Sequence, residues 1–313
     1  MGPTASGKTA LALELINNYP IEIISVDSAL IYKDMNIGTA KPTTSELSSV
    51  THHLIDIITP LESYSVAQFL TATSQIIRDV IARNKSPVLV GGTMMYYNAL
   101  LNGISILPEA NFEIRNQLEQ RIQINGLNTL YNELLLIDSS SAQRININDK
   151  QRIIRALEVY YISGIQLSEL QKQNHVNLLS DISFLPLAII PNDRSLLHER
   201  INQRSVNILS NGFIEEVAQL REIYPYLTAN HTAMRCVGYS EVWQYLDGII
   251  ELEELYNKVM ASTRQLAKRQ ITWLRSISHI NLLQHSYTHD SLYNELIRQI
   301  DQFGVESRNR GNV

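Results

Sequence analysis

The first hundred residues alternate between short apolar runs and longer segments with helical spacing. The runs at 21–26 and 87–90 are rich in isoleucine, valine and leucine, and each ends at a polar residue or glycine. The segments 9–17, 66–83 and 94–101 carry apolar residues at the spacing of one helix face. This alternation predicts a parallel sheet flanked by helices, an α/β fold in which ligands bind beyond the carboxyl ends of the strands.

The pattern changes near residue 108, where strand-like runs stop and helical segments follow one another. We predict an all-helical insertion domain over 109–181, inside a discontinuous core domain formed by 1–108 and 182–304. The helices expected in the insertion cover 112–124, 127–136 and 149–162.

After the insertion, the apolar run 184–190 is expected to return to the sheet. From Arg194 the chain is expected to be helical almost to its end, followed by a disordered tail over 305–313.

Composition narrows the class of protein without identifying it. The chain is 44% hydrophobic and 18% charged, which is typical of a globular protein. The lone cysteine, Cys236, excludes an internal disulfide and favours a reducing, cytoplasmic location. No apolar stretch reaches the length of a membrane-spanning helix, and no signal peptide is evident. The formal net charge of -5 argues mildly against a nucleic-acid binder.

A phosphate-binding P-loop pattern, Gly2-Pro-Thr-Ala-Ser-Gly-Lys-Thr9, opens the chain. In such a loop backbone N–H groups surround an anion, the lysine adds positive charge, and the threonine hydroxyl binds Mg²⁺. Lys8 and Thr9 are therefore the candidates for those two roles. The pattern is typical of ATP-binding and other nucleotide-binding proteins, so a nucleotide is the first ligand to consider.

A P-loop normally follows a buried β-strand, yet only Met1 precedes Gly2 here. We therefore expect the first strand of the sheet to be missing from this chain. Our hypothesis is that translation starts further upstream.

Two further polar positions stand at strand ends. Asp27 follows the run 21–26, where it could position magnesium, act as a general base, or cap the next turn. Thr93 follows Gly91-Gly92, where the backbone could approach a ligand or form a plain turn. Both should lie near the P-loop, because the carboxyl ends of parallel strands share one edge of the sheet.

Basic residues cluster on three predicted helices despite the net negative charge. Arg264, Lys268 and Arg275 share a helix face, and the pairs Arg152/Arg155 and Arg200/Arg204 are similarly spaced. A solvated helix face is the ordinary explanation for one such cluster. Three acid-poor clusters favour a phosphate backbone as the partner.

Seven blocks, in this order and spacing, carry a family resemblance. They are Gly2-Pro-Thr-Ala-Ser-Gly-Lys-Thr9, Ser25-Val-Asp-Ser-Ala-Leu30, Ile37-Gly-Thr-Ala-Lys-Pro42, Val90-Gly-Gly-Thr93, Gln151-Arg152 with Arg155-Ala-Leu-Glu158, Arg235-Cys-Val-Gly-Tyr239, and Lys268-Arg-Gln-Ile-Thr-Trp-Leu-Arg275. The sequence resembles the bacterial tRNA dimethylallyltransferases, also called tRNA isopentenyltransferases, from Gly2 to about Ser276. Ser240 and Lys150 depart from residues frequent in that family.

The resemblance implies transfer of a dimethylallyl group from dimethylallyl diphosphate to N6 of the adenosine at tRNA position 37. It implies a monomer that uses Mg²⁺ and an insertion domain that binds the anticodon stem-loop. The implied catalytic residues are Asp27 as general base, with Lys8, Thr9 and Arg204 on the diphosphate. The implied diphosphate-binding loop consists of Gly2, Pro3, Thr4, Ala5, Ser6, Gly7, Lys8 and Thr9. The implied tRNA contacts are Asp27, Ser28, Ala29, Leu30, Thr93, Arg115, Gln151, Arg152, Ile153, Ile154, Arg155, Arg235, Cys236, Val237, Gly238, Tyr239, Ser240, Lys268, Arg269, Gln270, Ile271, Thr272, Trp273, Leu274 and Arg275.

Two other classes of protein share parts of this pattern. A small-molecule kinase of the P-loop type would use ATP and a phosphoryl acceptor. A tRNA-binding protein without catalysis would result if the P-loop failed to fold without its preceding strand.

Overall fold

The helices and strands follow the predicted alternation over the first hundred residues. The structure is a computed structural model that describes residues 1–173, 175–191, 193–277, 280–284 and 289–305, so the predicted tail falls, apart from Val305, outside the described residues. In chain order the elements are α1 Lys8–Glu14, β1 Ile21–Val26, α2 Thr44–Ser49, β2 His52–His53, α3 Val66–Ala82, β3 Ser86–Gly91, α4 Met94–Asn102, β4 Ile104–Ser105, α5 Phe112–Asn125, α6 Leu127–Ile137, α7 Ser139–Arg144, α8 Lys150–Ser163, α9 Leu167–Gln173, β5 His175–Val176, β6 Leu187–Ile190, α10 Arg194–Ile208, α11 Ile214–Ile223, α12 Tyr239–Leu246, α13 Leu252–Ser276, β7 Asn281–Gln284 and α14 His289–Phe303.

The central sheet has the strand order β2-β1-β3, and all of its pairings are parallel. Every residue of β1 is buried, as expected for a parallel strand covered on both faces. In the register of β1 with β3, Val26 lies opposite Gly91, so both strands end at the same edge. The predicted parallel sheet flanked by helices is confirmed.

Strands β6 and β7 form a second parallel pair, of which the sequence predicted only β6. The run that contains Leu187–Ile190 does form a strand, but it pairs with Asn281–Gln284. The prediction of continuous helix after Arg194 was therefore wrong at Asn281–Gln284. A segment of four residues is too short for its periodicity to indicate a strand, and its partner strand lies almost 100 residues away in sequence. Met1 lies along β6, where Ile189 N–H donates to its carbonyl at 3.0 Å.

Helix boundaries in this part of the chain have local causes. At the start of α3, Ser65 accepts a hydrogen bond from the N–H of Gln68, and the Gln68 side chain accepts one from Ser65 N–H. Such a capping box satisfies two backbone donors that the first helical turn leaves open. The buried face of α3 then runs from Phe69 to Val80 at helical spacing.

Packing divides the chain into two compact units. The second unit is Ala99–Ser180, and the first comprises Met1–Asn98 and the described residues from Asp181 onward. Helices α5 to α9 form the second unit around a core of their own, which includes Leu118, Leu130, Leu134, Ile153 and Leu157. The sequence placed the start of the insertion at 109, whereas the short antiparallel pairing of β4 with β5 joins residues 104–105 to the helical unit.

Candidate active site

One cavity of about 330 Å³ collects the chemically distinctive residues of the first unit. Asp27 and Gly91, at the shared edge of β1 and β3, line it together with the P-loop residues Lys8 and Thr9 and with Arg204 of α10. Its wall also includes Thr4, Ser25, Leu30, Gly38, Lys41, Pro42, Ile208, Phe213, Cys236, Tyr239 and Gln270. The sequence prediction that the strand ends meet the P-loop holds for Asp27.

The P-loop bends through two residues with positive φ before α1 begins. Ala5 has φ 61° and Gly7 has φ 84°, and the helix starts at Lys8. Positive φ is the left-handed conformation in which glycine carries no steric cost. The loop therefore turns sharply between its first residues and the helix.

Ser6 belongs to the predicted diphosphate-binding loop, and its side chain lies inside that loop. Its side chain is 1% exposed and does not line the cavity, and its N–H donates to the carbonyl of Pro3 at 3.3 Å. A Cβ at Gly2 would lie 2.6 Å from Ser6 Oγ, so the side chain points back into the loop. Gly2 and Pro3 are buried as well, whereas Thr4 lines the cavity. Ser6 thus shapes the turn from inside, and its side chain is out of a ligand's reach.

Lys8 lies in an environment with two other charges. Its ammonium donates to the carbonyl of Pro3 at 3.3 Å. Burial is the main cause that lowers the pKa of Lys8 to about 8; Asp27 opposes the shift, and Arg204 adds to it. Two cations therefore lie close enough to repel each other, which an anion between them would relieve.

Asp27 combines a local role with a place in the cavity. Its Oδ1 accepts the N–H of Ala29 at 2.9 Å, which is the turn-capping interaction considered for it. The same side chain lines the cavity and acts electrostatically on Lys8 and Arg204. Capping one oxygen thus leaves the carboxylate available to a ligand while fixing its orientation.

The end of β3 is joined to the residues that follow Asp27. Thr93 N–H donates to the carbonyl of Val26 at 3.1 Å, and the Thr93 hydroxyl oxygen accepts the N–H of Ser28 at 3.0 Å. Gly91 has to be a glycine here, because a Cβ would lie 2.0 Å from the carbonyl oxygen of Val26. Thr93 therefore orders the turn that carries Asp27.

Arg204 reaches the cavity from the last turns of α10. Burial lowers the pKa of its guanidinium, and Asp27 partly opposes that shift. An arginine stays protonated at any physiological pH. Arg204 therefore brings a permanent, partly desolvated positive charge to the wall of the cavity.

Ser25 is a cavity residue that the sequence prediction did not assign. It is 3% exposed, and its hydroxyl has no hydrogen-bond partner among the described residues. Buried hydroxyl groups are normally paired, so this one is suited to a ligand. Ser25 of β1 lies two residues before Asp27, and the two-residue periodicity of a strand was a signal from which it could have been found.

A buried carboxylate shapes the loop that covers one side of the cavity. Glu216 Oε2 accepts the N–H groups of Asn36 at 2.8 Å and Ile37 at 2.6 Å, and its Oε1 accepts Gly38 N–H at 3.2 Å. The hydroxyl of Tyr239 donates to the same Oε1 at 2.6 Å. Three successive backbone donors on one carboxylate fix the conformation of the loop that begins the block Ile37–Pro42. No sequence signal links these positions, which are about 180 residues apart.

The cavity contains a donor set that fits Mg²⁺ bound together with a diphosphate. Mg²⁺ favours oxygen ligands and is often held by one or two carboxylates plus substrate phosphates. Asp27 and the Thr9 hydroxyl line the same cavity. Within the described part of the chain, no three His, Cys, Asp or Glu side chains form a metal-binding group, so the substrate and water would supply most of the ligands.

The predicted tRNA contacts divide by exposure. Those with exposed side chains are Ser28, Arg115, Gln151, Arg152, Arg235, Lys268, Arg269, Thr272, Trp273 and Arg275, while Asp27, Ala29, Leu30, Thr93, Arg155, Cys236, Val237, Ser240 and Ile271 are partly buried. The side chains of Ile153, Ile154, Tyr239, Gln270 and Leu274, which are also predicted contacts, are buried. Gly238 is buried too. The side chains of Ile153, Ile154 and Leu274 point into the protein, whereas Gly238, Tyr239 and Gln270 line the cavity.

Two of the predicted arginines in the helical unit are tied to one carboxylate. Glu158 has no exposed surface, and it accepts the Arg115 guanidinium through both oxygens, at 2.8 and 3.0 Å. Arg155 donates to Glu158 at 2.6 Å and to the carbonyl of Pro108 at 2.6 Å. The hydrogen bonds from these arginines lower the pKa of Glu158 against the opposing effect of burial. The cluster keeps a net positive charge with both guanidinium planes fixed.

Comparison with known proteins shows which family this chain belongs to. The sequence profile described as IPP transferase matches residues 30–277. The chain belongs to the IPP transferase family. It is 51% identical over 90% of its length to a tRNA dimethylallyltransferase of Chromobacterium violaceum, of which it covers 86%. It is 53% identical over 88% of its length to a tRNA dimethylallyltransferase of Legionella pneumophila, of which it covers 87%.

Solved structures agree with this assignment. A full-length tRNA isopentenylpyrophosphate transferase from Bacillus halodurans is 31% identical with a TM-score of 0.68, over 96% of this chain and 95% of that one. A eukaryotic dimethylallyltransferase, captured acting on tRNA, is 27% identical with a TM-score of 0.77, over 96% of this chain and 76% of that one. The α/β fold and its helical unit are thus those of a tRNA-modifying prenyltransferase.

Proposed function

We propose that this enzyme transfers the dimethylallyl group of dimethylallyl diphosphate to N6 of the adenosine at tRNA position 37, with release of diphosphate. The names of its relatives support the reaction class. The observation that carries the proposal is the convergence of Lys8, Arg204 and Asp27 on one cavity. Two cations suit a diphosphate, and the carboxylate suits a proton acceptor.

Bond cleavage in this reaction is helped by neutralising the leaving group. The allylic C1–O bond breaks as the diphosphate takes the electron pair, so negative charge grows on its bridging oxygen. Lys8 and Arg204 stabilise that charge from the wall of the cavity. Preorganised charge of this kind is usually the largest contribution to catalysis. Thr9 would hold Mg²⁺ together with the diphosphate, and the ion would supply further positive charge.

Bond formation requires a base, because the amine of adenine is a poor nucleophile while its lone pair is delocalised into the ring. The N6 lone pair attacks C1, and one N6 proton passes to the Asp27 carboxylate. General-base assistance is typically worth about a hundredfold or more. The Ala29 N–H on Oδ1 leaves Oδ2 as the oxygen that takes the proton.

The tRNA substrate is expected to meet the exposed basic residues of both units. The target base has to leave its stack to reach a cavity, which is a known requirement for chemistry on a base. We propose that the helical unit binds the anticodon stem-loop, with Arg152 and Arg115 near phosphates. We also propose that the enzyme acts as a monomer in the cytoplasm. In the described part of the chain, every helix is too short or too polar to cross a lipid bilayer.

The proposed reaction is tested by mass spectrometry of nucleosides. Transcribed tRNA with adenosine at position 37 is incubated with the enzyme, Mg²⁺ and donor, then digested. A mass increase of one dimethylallyl group on adenosine, lost when position 37 is changed to guanosine, is the expected result. Binding of tRNA without any modified nucleoside would instead indicate a binding protein without catalysis.

A small-molecule kinase remains the alternative class for a P-loop, and the family assignment disfavours it. The same assay is run with ATP in place of the donor and with both together. Transfer that needs no ATP is expected. Phosphorylation of a metabolite that depends on ATP would overturn the proposal.

A further inference from the structure

Gln270 joins two motif loops that are far apart in sequence. This residue of α13 is 7% exposed. Its Oε1 accepts the N–H of Thr4 in the P-loop at 2.8 Å, and its Nε2 donates to the carbonyl of Gly92 at 2.9 Å. Both ends of one planar amide are therefore used by the backbone, across 266 and 178 residues of sequence.

The fit at Gly92 is tight. A Cβ at this glycine would lie 2.3 Å from Nε2 of Gln270, so any larger residue would push the amide away. The glutamine itself lines the cavity beside Lys8 and Asp27. The P-loop is thus held against the end of β3 at a distance that this side chain sets.

Helix α13 also carries exposed residues that are predicted to contact tRNA. Lys268, Arg269 and Trp273 are exposed, whereas Ala267, Gln270 and Leu274 share the buried face at three- and four-residue spacing. One helix therefore presents two surfaces. The exposed Lys268 and Arg269 therefore lie away from the buried face that carries Gln270.

We propose that Gln270 is a positioning residue for the diphosphate loop and makes no contact with tRNA. The inference rests on the proposed role of the P-loop in holding a diphosphate. A loop whose N–H groups must point at an anion loses affinity when its backbone is free to move, because the anion then has to order it. Gln270 fixes that backbone at Thr4 before the donor binds.

The test separates donor binding from tRNA binding. Gln270→Met keeps the length of the side chain and loses both hydrogen bonds, and Gln270→Asn keeps the amide but is one methylene too short to bridge both loops. Calorimetry measures the binding of inorganic diphosphate and of dimethylallyl diphosphate with Mg²⁺, and filter binding measures tRNA without donor. Both variants are expected to weaken diphosphate binding and to raise the KM for the donor about tenfold. The Kd for tRNA should stay within about twofold.

Gln265→Met is the matched control, because Gln265 lies on the same helix with an exposed side chain. It should leave both affinities unchanged. Gly92→Ala should also weaken diphosphate binding, because its Cβ displaces the Gln270 amide. This variant replaces the Gln270 variants in the test if those fail to fold. Weaker tRNA binding with unchanged diphosphate affinity would overturn the proposal, as would no change in either. Diphosphate binding is read without any transfer, so the result stands apart from the outcome of the prenyl-transfer assay.

Discussion

Glu216 holds the backbone of Ile37 through a hydrogen bond of 2.6 Å to its N–H group. The same carboxylate accepts the N–H groups of Asn36 and Gly38 and the hydroxyl of Tyr239. Backbone donors arranged in this way form a natural anion site, here filled from within the protein. The conformation of residues 38–42, which line the cavity, therefore depends on the buried Glu216 carboxylate.

Glu216→Gln should disturb this wall while keeping the volume of the side chain. In either orientation the new NH₂ group faces at least one backbone N–H, and a buried unsatisfied donor costs about 1–3 kcal/mol. We expect a lower free energy of unfolding in urea and a higher KM for the donor, by about tenfold. The neighbouring residue provides the control, since Glu215→Gln should change neither quantity. An unaltered KM in Glu216→Gln would show that the loop does not shape the donor site.

Asp27→Asn should remove the proton acceptor and keep the cap. The amide oxygen still accepts the N–H of Ala29, so the turn after β1 should persist. The expected result is a fall in kcat of about a hundredfold or more. Single-turnover rates and tRNA binding are measured on the same preparations, and binding should remain near that of the unmodified enzyme. Turnover at the original rate would exclude Asp27 as the base.

Ser25→Ala should weaken donor binding without destabilising the protein. The hydroxyl has no partner in the described part of the protein, so its removal costs no internal hydrogen bond. We expect the KM for the donor to rise about fivefold and the thermal midpoint to stay the same or increase. Thr73→Val is the matched control: its buried hydroxyl is likewise unpaired among the described residues, and it does not line the cavity. If both variants have the same KM for the donor as the parent enzyme, the Ser25 hydroxyl does not contact the donor.

Glu22→Gln should destabilise the protein at the end of β1 away from the cavity. Arg83, His53 and Lys85 donate to this carboxylate, and the Arg83 hydrogen bond is the main cause that lowers the pKa of Glu22 to about 2. At neutral pH the substitution should cost about 1–3 kcal/mol of unfolding free energy.

The sign of the pH dependence follows from that lowered pKa. Since the folded value lies below the ordinary 4.5, Glu22 stabilises the fold fully above about pH 4.5 and loses this effect as the pH falls toward about 2. The stability difference between parent and Glu22→Gln should therefore shrink over that range in urea titrations. A difference independent of pH would mean that the ion pairs contribute nothing. Donor KM should be unchanged, because Glu22 does not line the cavity.

Arg152 and Arg115 should differ although both are predicted tRNA contacts. The Arg152 side chain is 69% exposed and pairs only with Asp149 at its own helix start, among the described ion pairs. Arg152→Ala should weaken tRNA binding and reduce the slope of log K against log salt by roughly 0.7–0.9, the share of one phosphate contact. Its thermal midpoint should not move.

Arg115→Ala leaves the buried Glu158 carboxylate with fewer donors. We expect a lower thermal midpoint in addition to any loss of tRNA affinity, because an under-satisfied buried charge is costly. Fluorescence melting and filter binding at several salt concentrations measure both effects. A salt slope that is the same in Arg152→Ala as in the parent would remove Arg152 from the phosphate contacts.

Much of the fold was predictable where periodicity is local and sustained. The strand Ile21–Val26 and the helices α3 and α8 follow from runs of apolar residues with a clear period and from caps beside them. The short strand Asn281–Gln284 was not predictable, since its pairing with β6 is a tertiary contact. The same difference between local pattern and tertiary contact applies to side-chain burial. The exposure of Arg152 follows from its position on a helix face, whereas the position of Ser6 in its motif did not show that its side chain is buried.

The sequence alone determined the family and the α/β class, and it named Lys8, Thr9, Asp27 and Arg204 as the candidates for the chemistry proposed here. Those conclusions rest on short motifs in which spacing along the chain fixes geometry. Tertiary structure alone decided that Gln270 holds the P-loop, that Glu216 fixes the cavity wall and that the Ser25 hydroxyl has no partner among the described residues. These roles depend on hydrogen bonds between residues about 180 to 266 positions apart, or on the lack of one, and no local pattern encodes which distant backbone groups a side chain will meet.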